Sequence, residues 1–138
     1  MKGIAQYRSQ RVHGATPGEL VVLLLETAGT RIAAANAHME AGRRMAWIAE
    51  LAKVRPIYLE LMFALDHAVA PELTRNLHVT YAWVIQRLGD VGKTGDVGGT
   101  EALARVNGTL LDAFRQVVIT GADEAEGASA ASDEAAAP

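Results

Sequence analysis

The chain contains no cysteine, so disulfide frameworks, thiolate metal sites and cysteine nucleophiles are excluded, and a reducing compartment is permitted. It has no long apolar run either. The longest, Leu20 to Leu25, is far short of the ~20 residues that cross a bilayer, and the polar N-terminus lacks a secretory apolar region. A soluble, unprocessed, cytoplasmic protein without membrane insertion is the expectation. Serine is confined to Ser9, Ser129 and Ser132, none on a scaffold that could hold a catalytic nucleophile. Basic residues are scattered, with Arg43-Arg44 the only adjacent pair, so there is no electrostatic footprint for nucleic acid.

The search for other chemistry also comes back empty. Helical bundles hold metals through an acid three residues before a histidine, but Arg75 precedes His78, Ala64 precedes His67, and His38 and His13 lack such an acid too. Gly92-Lys93-Thr94 resembles the end of a phosphate-binding loop, yet the preceding strand, the earlier glycine and the helix beginning at the lysine are all missing. No active site, metal site or cofactor is expected, and the chain does not read as an enzyme.

What remains is a sequence of 138 residues, half of them apolar, long enough for one sizeable core and too short to favour two. Its formal net charge is −3, and removing Asp123, Glu124, Glu126, Asp133 and Glu134 leaves the rest at +2. From Gly121 onward only small and acidic residues occur apart from the final proline, so burial cannot offset the entropy of ordering. Residues 1–120 are therefore expected to form one domain, and 121–138 a disordered acidic, alanine-rich tail.

Within the body the apolar spacing is helical, and no alternating β-branched run argues for a strand. Thr16-Pro17-Gly18-Glu19 reads as a helix start: threonine caps the free backbone donors, proline suits the first helical position, and glutamate three residues on completes a capping box. The first helix is predicted over Pro17–Ala41, with Leu20, Leu24, Ala28 and Ile32 on one face. The second is predicted over Arg43–Val69, with Trp47, Leu51, Val54, Tyr58, Leu61 and Leu65 inward and Pro56 kinking it. A third runs from Pro71 to near Gly89, carrying Leu73, Leu77, Tyr81, Val84 and Leu88. Residues 92–99, rich in glycine, read as a flexible connection. A fourth begins near Thr100, with Leu103, Val106, Leu110, Phe114 and Val117 buried. Rods about 30 Å long, at about 1.5 Å per residue, joined mainly by short connections make an all-α antiparallel four-helix bundle. Ile4 and Tyr7, three apart ahead of it, suit a short segment packing as a lid on one end or groove.

Apolar residues exceed what these stripes use. Ile48, Ile57, Leu59, Met62 and Phe63 add to the second helix, and Val79, Trp83 and Ile85 to the third. Such helices are either central in their own bundle or completed by a partner. Met62 beside Phe63, and Trp83 beside Ile85, suit an adaptable groove that accepts an amphipathic helix.

Tyr7, Val12, Ala15, Thr16, Pro17, Glu19 and Leu20 fall in the order and spacing of the FliS family of flagellin export chaperones, which the chain resembles from about Ile4 to Val118. Lys53, Ile57, Glu60-Leu61, Phe63 and Leu65 are similar to the family's second helix. Tyr81, Arg87 and Leu88 match its third, and Asp96 with Asp112-Ala113-Phe114 its ending, where tryptophan is usual at the last position. The chain departs from the family at Leu24-Leu25-Glu26-Thr27, where leucine-tyrosine-aspartate-glycine is common, and at Pro56. The resemblance implies a cytoplasmic chaperone, without catalysis, that binds the C-terminal segment of flagellin and prevents premature polymerisation before secretion. The flagellar export gate is a second candidate partner. Client contact then falls to Met62 and Trp83, with Ile57, Phe63 and Tyr81 either in support or part of the core, and Ile4 and Tyr7 as a displaceable plug. The alternative is a homodimeric helical module, scaffolding or sensory, whose extra apolar faces pair with themselves.

Deleting Met1 to Gln10 is predicted to raise the affinity or association rate for a flagellin C-terminal peptide; stopped-flow fluorescence showing both unchanged would remove the lid.

Overall fold

The computed structural model describes residues 16–136. Four helices follow one another: α1 Pro17–Glu40, α2 Arg44–Phe63, α3 Pro71–Thr94 and α4 Val97–Ala136. They form the antiparallel bundle that the periodicity predicts. Helix α1 packs along both α2 and α4, α3 packs mainly along α2, and the seam between α3 and α4 is the thinnest. By length and composition α1 could cross a membrane, but Leu24, Leu25, Ala28, Ile32 and Ala35 on it are buried among the other helices.

The start of α1 is as read. The Thr16 side chain accepts from the Glu19 N–H at 3.2 Å, and Pro17 is the first helical residue. Pro56 does not divide α2, which is continuous through it. The proline lies on the exposed side, where a helix can lengthen or bend outward without disturbing its packed stripe.

Two boundaries differ from expectation. Helix α2 ends at Phe63, six residues before the predicted Val69, because the chain must reverse direction ahead of Pro71. The Asp66 carboxylate accepts from the Ala68 N–H at 3.0 Å, and Ala70 adopts a left-handed conformation at φ 45°, away from the right-handed helical region that a following proline disfavours. The Thr74 hydroxyl then donates to the Val69 carbonyl at 2.9 Å, tying the turn to the first turns of α3.

The second difference is at the glycines. Helix α3 runs past Gly89 and Gly92 to Thr94, and α4 opens at Val97, leaving a connection of two residues where a flexible loop is predicted. Packing, not flexibility, uses these glycines. The Trp47 indole N–H donates to the Gly92 carbonyl at 3.0 Å, satisfying an acceptor in the last turn of α3 that has no intrahelical donor. Gly95 has φ +67°, and a Cβ on it would stand 2.7 Å from Trp47 Cζ2. A Cβ on Gly99 would collide with Val91 Cγ2. Asp96 caps the new helix by accepting from the Gly98 N–H at 3.0 Å.

At its other end α4 continues as helix to Ala136, where a disordered tail is predicted from Gly121. Alanine is the strongest helix former, and adding turns to a helix already nucleated avoids the cost of starting one. Leu73 and Val117, expected inside, are 59% and 61% exposed, each lying near the end of its stripe where no further helix covers it.

Gly95→Ala is predicted to destabilise the bundle by about 2 kcal/mol, combining left-handed strain with displacement of Trp47. Urea denaturation followed by tryptophan fluorescence checks it.

Candidate functional site

The residues assigned to client contact separate into four environments. Ile57 and Tyr81 are 4% and 1% exposed and belong to the core, the second of the two roles that the sequence leaves open to them. Phe63, the last residue of α2, is 86% exposed. Met62 is half-buried and lines a groove between α2 and α3. Trp83 is half-buried on a neighbouring flank of α3, with the Arg87 guanidinium 5.4 Å from its ring centroid, and lines a separate cavity of about 340 Å³ against the start of α4. The groove that Met62 lines is shared with Ile85, and Trp83 is not part of its lining. Ile4 and Tyr7 lie outside the described residues.

Tyr81 has a structural task instead. Its ring meets Tyr58 edge-on, with centroids 5.9 Å apart, and the Tyr58 hydroxyl donates to Asn107 Oδ1 at 2.7 Å. The Asn107 amide in turn donates to the Leu25 carbonyl at 3.0 Å. One layer therefore joins all four helices. Burial holds the Tyr81 phenol up at about 12, and the Tyr58 phenol is pushed higher still, by burial first and by neighbouring Tyr81 second.

The groove along α2 and α3 has two adjoining parts. Nearer the start of α2, about 280 Å³ lies over Ile48, Leu51, Ala52 and Leu88; nearer its end, about 470 Å³ lies over Leu59, Met62, Ala82 and Ile85. Arg55, Gly89 and Lys93 line both parts. Ile48, Leu59 and Ile85 are the surplus apolar residues of the sequence, now placed together. Gly89 and the cations escaped the sequence reading; the signal was there, in two glycines three apart inside a pattern that stays helical. The site holds apolar surface and positive charge. Among the described residues no three histidines or carboxylates cluster closely enough to hold a metal.

A family model described as flagellar protein FliS matches residues 1–121. A solved structure described as a flagellar chaperone from bacteria superposes with a TM-score of 0.71, covering 87% of this chain and 98% of its own at 18% identity. At that identity the likeness is one of fold. A search of curated proteins finds no match.

Because native Tyr58 and Tyr81 hold their protons above the ordinary phenol value near 10, the native state binds more protons than the unfolded chain at alkaline pH. Their contribution is complete below pH ~10 and declines as pH rises through about 12. Stability is therefore predicted to fall across that interval, with phenolate absorbance from both appearing together with loss of helical circular dichroism. Phenolate formation at both residues near pH 10 with the helices intact would contradict this.

Proposed function

The chain belongs to the FliS family of flagellar chaperones, and from that membership we propose that it is a cytoplasmic export chaperone that holds the C-terminal segment of flagellin and prevents its polymerisation before secretion. The observation that carries the reading is apolar surface left over after the bundle has filled its own core. Met62, Leu59 and Ile85 line an open groove, and Phe63 stands almost wholly in solvent at the end of the same helix.

An amphipathic client segment that is disordered on its own can fold as helix onto such a groove, losing conformational entropy and covering apolar area. That is a binding task with no bond made or broken. Sequestering the apolar face of the client removes the surface through which its copies assemble. Methionine suits the role because its unbranched side chain fills irregular gaps without demanding one partner shape. Trp83, with its cation-capped ring, would contact a client that continues around α3, and Ile4 and Tyr7 would cover part of the apolar surface until the client displaces them. The export gate is a further proposed partner.

The competing reading, a homodimer closed through these same faces, draws on the same exposed residues. Light scattering separates the two: a monomer forming a one-to-one complex supports the chaperone, and a dimer unchanged by client supports the module.

Isothermal titration with the C-terminal segment of the host's flagellin is predicted to show binding. Phe63→Ala should weaken it by about 1–2 kcal/mol while leaving the fold intact, since the side chain supports little of the core. Absence of heat at high micromolar concentration would end the proposal.

A further inference from the structure

We propose that the α2/α3 groove is a docking site for an amphipathic helix whose apolar stripe is flanked by carboxylates. The inference rests on the reading of the chain as a binder of another protein's helix, and it adds the charge that the helix must carry.

Three features of the groove support it. The first is length: Arg44 and Met62 mark its two ends along α2, about 27 Å apart at about 1.5 Å per residue, room for about five turns of a ligand helix.

The second is depth, created by Gly89. This residue lies in the interior of α3 and is exposed, its φ is not in the left-handed region, and a Cβ placed on it would have nothing within 4 Å. Neither backbone conformation nor close packing against another described residue calls for glycine there, although glycine in a helix costs roughly 0.5–1 kcal/mol relative to alanine. What it provides is an open trough between the walls, where a ligand helix can approach α3 closely.

The third is charge. Arg44, Arg55 and Lys93 line the trough, and none of them forms an ion pair with another described residue. Outside the trough, Arg31 and Lys53 pair with Glu50, Arg115 pairs with Glu26 and Asp112, and Arg87 lies over Trp83, while Arg43, Arg75 and Arg105 also form no ion pair with a described residue. The lining contains a single carboxylate, Asp90, against these three cations. The long aliphatic stems extend the apolar walls while the charged ends reach the rim.

A helix laid in the trough removes water from those charged ends. Carboxylates along its flanks would replace that solvation with ion pairs; a basic helix of equal apolarity would leave three partly desolvated cations facing more of their own sign. The floor therefore supplies attraction, and the rim selects the ligand by its charge.

Two synthetic amphipathic peptides test this, sharing one leucine stripe and differing only in glutamate or lysine along its flanks, titrated into the full-length chain by fluorescence anisotropy. At low salt the glutamate peptide should bind at least ~10-fold more tightly than its lysine twin, with the gap narrowing as salt rises. Gly89→Leu should reduce glutamate-peptide affinity by about 10-fold without loss of helical circular dichroism, because leucine fills the trough and favours helix. Arg55→Glu with Lys93→Glu, both exposed changes, should reverse the preference. Equal binding of the twins, no binding of either, or indifference to Gly89→Leu would overturn the proposal. So would a dimer of the free chain that Gly89→Leu converts to monomer, since a second copy would then be the occupant. Tight binding of the flagellin segment alongside equal binding of the twins removes the charge rule and spares the chaperone function. The reverse pattern spares the groove and removes the flagellin client.

Discussion

The bundle depends on one buried hydrogen-bond relay. Asn107 sits on the inward stripe of α4 between Leu103 and Leu110, accepts from Tyr58 on α2, and donates to the Leu25 carbonyl on α1. Tyr81 on α3 completes the layer through its ring contact with Tyr58. A buried amide is costly unless its donor and acceptor both find partners, so this layer tolerates little sliding or rotation of the helices. Apolar contacts alone would allow alternative registers; the polar relay selects one. The local sequence conforms to it, for Gly29 leaves the Asn107 amide only 3.1 Å from where a Cβ would stand. Leucine at position 25, where the family commonly has tyrosine, takes part through its backbone, and the phenols of the layer come from α2 and α3.

A second anchor stands at the opposite end of α2. Trp47 fits against Gly95 and closes the last turn of α3 through the Gly92 carbonyl. The Thr100 hydroxyl lies 2.6 Å from Asn36 Oδ1 and 2.8 Å from the Val97 carbonyl, joining the start of α4 to the end of α1. With both ends fixed, the α2/α3 groove becomes a permanent property of the fold. Its shape comes from packing on the inner faces of two helices, and its chemistry from what their outer faces omit.

Much of this was legible in the sequence, and the parts that were not share a cause. The apolar stripes of α1 and α2, Thr16 as a cap, and the all-α class follow from a 3.6-residue period, which records which face of a helix is buried. Glycine misled because composition cannot distinguish a glycine needed for freedom from one needed for closeness; Gly95 and Gly99 make room for Trp47 and Val91, partners 48 and 8 residues away in sequence. Asn107 was visible as a polar residue on an apolar stripe, yet its partners lie on other helices. The client residues were harder. Ile57 and Phe63 look alike in composition, and only the direction each takes from α2 separates a core residue from one standing in solvent.

The central position of α1 has a consequence for how the protein is made. Its bond to Asn107 spans 82 residues, and one of its two main packing partners, α4, is the last of the four helices to be synthesised. While the ribosome works through α2 and α3, the helix apolar enough to span a membrane has one of its flanks uncovered, and it acquires its full cover only after residue 110 has emerged. Long-range closures of this kind delay folding and prolong exposure to aggregation. A member of a chaperone family therefore begins its own existence with an unshielded helix, and the rate at which α4 docks sets how long that lasts.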